Sequence, residues 1–346
     1  MISARLVGIA VILALLIGSS AAVAAIPSQD VVQPAPIVQQ TPSLLDSVDS
    51  LNRMTLADVA QYAQRYKLPI LAIASVLVFI VLWLAGGIGP GALAKSGLRD
   101  VSAHHAPMWL FAGLLVFTAW AFAAKALGRQ DWLTGGNPGS FLGQARVYLA
   151  TYTLAAIVAI GMIHLFSRNA SAAGLRLLPG DLIIGLACLA LAYPVIELAS
   201  SGAITAHEWI SNESTRPIAH DTLLTITTNF HDPWVWALIG AVVIGAPIVE
   251  ETIYRVFLQT AMLRWFGSPW LAILISATAF TAMHYGFDQK GNEIMPYYSL
   301  APLFVLAVAM GLAFERTRRI GVPIVMHIGF NALNVYFALR MEGLIG

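Results

Sequence analysis

The chain has 346 residues, of which 58% are hydrophobic and 11% charged. Soluble domains carry about 25% charged residues, so a single water-soluble core is excluded and a bilayer is implied as the solvent. The net charge of +1 excludes a strongly basic nucleic-acid-binding surface, and the single cysteine, Cys188, excludes an intrachain disulfide and any Cys-rich metal site.

The first 25 residues read as a signal peptide or signal anchor. Arg5 supplies the charge, Leu6 to Ile17 the apolar stretch, and Ala22-Val23-Ala24-Ala25 a small-residue cleavage site. Residues 26–68 follow as an extracytoplasmic arm rich in Pro and Gln. It is expected to end in a short amphipathic surface helix from Leu51 to Tyr66. Eight apolar spans are then predicted, at 69–89, 107–128, 147–167, 181–203, 233–264, 270–286, 299–315 and 321–340. A crossing takes about 20 apolar residues. The predicted fold is therefore all-α, a polytopic transmembrane helix bundle. Pro247 is expected to kink the overlong fifth span, and the short sixth and seventh spans suit the bundle interior.

Lys95 and Arg99, Arg168 and Arg176, and Arg316, Arg318 and Arg319 fall in loops on one side if the mature N-terminus is extracytoplasmic. Lys125, Arg129 and Arg146 fall on the other side. The expected location is the plasma membrane, with the loop from Ile204 to Asp232 outside the cell. That loop, with Trp209, Glu213, Arg216 and His220, reads as an ordinary solvated segment, with covering the site or binding a partner as the alternative, and His207-Glu208 within it as no metal motif.

Three polar clusters interrupt the C-terminal spans. An ionised side chain at the bilayer centre costs at least about 2.5–3.5 kcal/mol, so each needs a reason. In the first, Glu251 and Arg255 are one helical turn apart and can pair. Glu250 points about 100° away and stays free for chemistry. The second is Phe280 to His284. The third is His327, Asn331 and Asn334 on one face of the last span. Taken singly, each also has a structural reading: an ion network, a hydrogen-bonded core histidine, interhelical hydrogen bonds. Together they offer a base, two histidines and an amide donor at comparable depth, the inventory for activating water and stabilising an oxyanion.

Glu250-Glu251 with Arg255, Phe280 with His284, and His327 with Asn331 match, in order, the E-E-x-x-x-R, F-x-x-x-H and H-x-x-x-N motifs of the CPBP family. These are the CAAX-protease and bacteriocin-processing (Abi) membrane proteins. The resemblance covers about residues 174–340, and residues 69–173 stand apart as N-terminal transmembrane helices. Tyr254 and Val256 flank Arg255 where the family often has Phe and Gly. The resemblance implies an intramembrane endopeptidase acting on a peptide or membrane-anchored protein. By carry-over, Glu250 and His284 activate the water, His327 and Asn331 stabilise the oxyanion, and Glu251 and Arg255 support the site. The family has been described both as metal-free glutamic proteases and as metalloproteases. No cofactor is the favoured expectation here, with zinc on Glu250, His284 and His327 as the alternative. Two other functions stay open: a non-catalytic immunity or scaffold protein, and a proton-coupled transporter.

Overall fold

The computed structural model describes residues 56–89, 91–95, 99–137, 139–215, 220–286 and 295–345. The signal segment and most of the arm lie outside these residues. The described residues form a helix bundle and contain no strand. Apart from single turns at Ala92–Lys95 and Asp131–Thr134, the described helices in chain order are α1 (Leu56–Leu84), α2 (Ala106–Leu127), α3 (Phe141–Ser167), α4 (Asp181–Ser211), α5 (Asp221–Thr228), α6 (Val235–Phe266), α7 (Pro269–Ala282), α8 (Leu300–Thr317) and α9 (Gly321–Met341). Among the described residues, seven stretches are long and apolar enough to cross a bilayer: α1 from Tyr66, α2, α3, α4, α6, α8 from Tyr297, and α9. The predicted sixth span, α7, has only 14 residues and falls short of a full crossing.

Local chemistry explains the boundaries. Gly267, at φ 65°, ends α6 in the left-handed region. Ser268 then caps α7 by accepting from Leu271 N, with Pro269 at the first helical position. Ser140 caps α3 in the same way, through Gly143 N, which starts that helix earlier than predicted.

Three expectations are corrected here. Among the described residues no separate surface helix precedes the first span: α1 runs unbroken from Leu56 through Pro69. The segment from Ile204 to Asp232 is not a plain loop. Here α4 continues to Ser211, so His207 and Glu208 are helical, and α5 occupies Asp221–Thr228. Hydropathy falls off in both stretches, yet their backbone hydrogen bonds are still best made within helices. Finally, Arg99 is no loop cation; it is buried against Glu315.

Most of the apolar interior is one continuous core drawn from α2, α3, α4, α6, α7, α8 and α9. A smaller cluster joins Ile226 of α5 to Val235 and Leu238 of α6 and to Val335 and Leu339 of α9. The α4–α9 contact depends on small residues. A Cβ on Gly185 would lie 2.6 Å from the Val325 side chain and 2.9 Å from the Val322 carbonyl. With no hydrophobic drive between helices in lipid, such close approach supplies the packing. Gly185→Leu is expected to prevent α4 from docking on α9. Size-exclusion chromatography in detergent checks this; a monodisperse peak with wild-type melting would contradict it.

Candidate active site

The sixth helix builds the site, and its sequence does so by departing from α-helical geometry. It contains two π-helical stretches, Ala241–Gly245 and Thr252–Gln259, separated by the α-helical turn Ala246–Glu251. Pro247, where a kink was expected, lies in the α-helical turn between them. In the first π turn, Ala246 N bonds to Ala241 O. The next donor in that register would come from residue 247, and proline has none. The Val242 carbonyl is thereby left over, and Asn331 Nδ2 fills the vacancy at 2.9 Å. Gly245 sits in the same turn. A Cβ there would lie 2.8 Å from the Tyr152 Cβ, so its absence lets α3 press Tyr152 against α6. Widened turns of this kind often mark functional segments.

Glu250 and Glu251, adjacent in sequence, face different surroundings. The Glu251 side chain is fully buried, and its Oε1 lies 3.0 Å from Arg255 Nη1 and 2.9 Å from His327 Nδ1. A carboxylate paired with arginine only accepts, so His327 donates from Nδ1. Arg255 is itself fully buried; its Nη2 donates to the Ala307 carbonyl at 3.2 Å, and its guanidinium lies 4.8 Å from the Phe280 ring. The Glu250 side chain is 21% exposed, and its Oε2 stands 3.8 Å from His327 Nε2. That gap exceeds hydrogen-bonding distance, so neither group is consumed by the other.

Phe280, fully buried, holds the three motif helices together. It meets Tyr254 edge-on at 5.3 Å, His327 at 5.6 Å and His284 at 4.6 Å. His284 lies just past the end of α7, with Nδ1 2.8 Å from the Phe280 carbonyl. A carbonyl only accepts, so Nδ1 is the donor, and in the neutral ring Nε2 is left with its lone pair. The two departures from the family pattern are also accommodated. Tyr254 forms the Phe280 contact just described, and Val256 is completely enclosed in the main core.

Glu250, His284, His327 and Asn331 all line one cavity of about 330 Å3. Glu251 and Arg255 stand behind its wall. The rest of the lining is largely aromatic, including Phe117, Trp120, Tyr148, Tyr152 and Phe330. Sequence reading missed two contributors. The aromatic wall comes from α2 and α3, outside the motif region. His220 comes from the segment expected to be a solvated loop, together with Thr222 and Leu223. The signal available for His220 was a His-Asp-Thr start to a short apolar run, a weak helix-entry pattern.

The zinc alternative required Glu250, His284 and His327 to converge. Among the described residues no group of three His, Cys, Asp or Glu side chains is arranged to hold a metal ion. His327 Nδ1 is committed to Glu251, and His284 Nδ1 to a backbone carbonyl.

A family model described as Type II CAAX prenyl endopeptidase Rce1-like matches residues 232–333. The match is narrower than the 174–340 expected, but it holds all seven motif residues. UPF0177 protein YbdI of Lactococcus lactis subsp. lactis is 28% identical over 113 residues, 32% of this chain and 55% of that protein. UPF0177 protein YbdJ of the same organism is 35% identical over 94 residues, 27% of this chain and 35% of that protein. The chain thus spans about half or less of the length of these relatives. No solved structure matches it. Through residues 232–333, where motifs and family model coincide, the chain is similar to the CPBP, or CAAX-protease, family.

Proposed function

We propose that this chain is an intramembrane endopeptidase that hydrolyses a peptide or membrane-anchored protein without a metal. The observation that carries the reading is the division of the two glutamates: Glu251 is locked to Arg255 and His327, while Glu250 lines the cavity.

In the proposed reaction Glu250 takes a proton from a water in the cavity. The His284 Nε2 lone pair accepts that water's second hydrogen and orients it. The water oxygen attacks the scissile carbonyl carbon, and the carbonyl oxygen becomes the oxyanion. His327, in its doubly protonated form, donates to it from Nε2 while its Nδ1–H is held by Glu251, and the Asn331 amide hydrogen not used by Val242 adds a second donor. Glu250 then returns its proton to the leaving nitrogen, and the C–N bond breaks. The ion pair with Arg255 keeps Glu251 a carboxylate, and that carboxylate, in contact with Nδ1, supports the doubly protonated His327 ring. The reading extends to a plasma-membrane location with the mature N-terminus outside the cell, supported by the three basic loops on one side of the bundle.

The test is cleavage by the purified full chain, in bilayer vesicles, of a substrate found by comparing membrane proteomes with and without the protein. His284→Ala and His327→Ala are each expected to lower the rate by about 10²–10⁴-fold. Cleavage by both at the wild-type rate sinks the assignment. A strong chelator is expected to leave the wild-type rate within twofold; loss of activity that zinc restores would overturn the metal-free reading.

A further inference from the structure

We infer that His220 is a substrate-contacting residue whose Nε2–H donates a hydrogen bond to the peptide segment lying in the cavity. The inference rests on the endopeptidase reading above. It assigns a role to a ring outside all three motifs.

His220 is the N-cap of α5, and its Nδ1 accepts from Thr222 N at 3.1 Å. That bond fixes the tautomer: in the neutral ring the hydrogen is on Nε2. The ring lines the same cavity as Glu250, His284 and His327. Its position is set from behind. Ile226, fully buried, anchors α5 against Leu339 and Val335 of α9, the helix that carries His327.

The two imidazoles are complementary. His284 spends its Nδ1 hydrogen on Phe280 O and offers a lone pair; His220 spends its Nδ1 lone pair on Thr222 and offers a hydrogen. A peptide unit entering an apolar cavity brings one acceptor and one donor, and both must find partners there. Asn331 has already committed one amide hydrogen to Val242 O, so the His220 N–H adds to a set of lining donors that includes Trp120 and Asn334. Burial holds the His220 imidazole below the usual histidine range, reinforced by His284 and opposed by Asp221. A neutral donor is what such a cavity needs, since a cation would have to be desolvated when the substrate enters. Capping alone asks only for an acceptor, which serine or aspartate supplies at least as well. Histidine leaves an N–H to spare.

The experiment uses the full chain in nanodiscs in a Glu250→Gln background, and the labelled peptide substrate from the cleavage assay. His220→Ser keeps the cap and removes the cavity donor. His220→Gln keeps an acceptor for Thr222 and a donor beyond it. The dissociation constant is expected to rise about tenfold for His220→Ser, the scale of a buried carbonyl left unpaired. His220→Gln is expected to stay within threefold of its parent. Equal melting temperatures confirm that α5 remains in place. Unchanged binding by His220→Ser overturns the inference, as does equal weakening in both variants. Retained cleavage by the Glu250→Gln parent would strike the endopeptidase chemistry alone; the ratio of dissociation constants still decides His220.

Discussion

Glu250→Gln abolishes measurable hydrolysis while the protein folds and melts as the wild type does; Glu251→Gln loses the fold first. That contrast is the sharpest expected result, because the two residues are neighbours and the change is the same. Removing a general base costs about 10²–10⁴-fold in rate. Glu250 lines the cavity, and among the described residues it forms no hydrogen bond, only its 3.8 Å approach to His327, so its amide replaces it without stranding a partner. Glu251 is different. Its Oε1 serves both Arg255 and His327 at full burial. Neutralising it leaves a guanidinium enclosed without its counter-charge, and breaking such a pair costs about 3–5 kcal/mol. Cleavage rate and melting temperature, measured on both variants in one detergent, decide the matter. Wild-type cleavage by Glu250→Gln, or an undisturbed melting curve for Glu251→Gln, would refute the division of roles.

Arg99→Met is expected to destabilise the bundle on the same scale, far from the cavity. Arg99 Nε and Nη2 donate to the two oxygens of Glu315 at 3.0 and 2.7 Å. Nη1 donates to Ala173 O at 2.8 Å and to Thr260 Oγ1 at 2.9 Å. Gln259, the last residue of the second π stretch, adds a bond from Nε2 to Glu315 Oε1 at 2.8 Å, and the guanidinium rests 4.0 Å from the Phe314 ring. One buried pair therefore ties the segment before α2 to α6 and α8. Removing the arginine leaves Glu315 nearly unpaired, at about 3–5 kcal/mol. Replacing both, as Arg99→Met with Glu315→Leu, is expected to recover most of the loss, because the cost lies in the stranded charge. Equal melting of Arg99→Met and wild type would show that the network contributes nothing. A double variant no better than the single would place the cost in packing instead.

These two networks mark the limit of what could be read from the sequence. The Glu251–Arg255 pair was legible because its members are four residues apart on one helix. The bond from His327 to Glu251 spans 76 residues, and that from Arg99 to Glu315 spans 216. Nothing local announces either. Arg99 was misplaced because a basic residue beyond an apolar span normally marks the aqueous side. His220 was misplaced because hydropathy reports average polarity, and a polar segment folded over a cavity has the same average as one in water.

The sequence by itself determined that the protein lives in a membrane, that its fold is all-α, and that three motifs lie in its C-terminal apolar segments. It did so because bilayer thickness and backbone hydrogen bonding leave few alternatives to a run of apolar residues. Only the tertiary structure decided which glutamate faces the cavity, which nitrogen each histidine presents, and where the π turns displace the helix. Those outcomes depend on how close two helices come, and that distance is set by glycines, a missing proline N–H and partners on other helices.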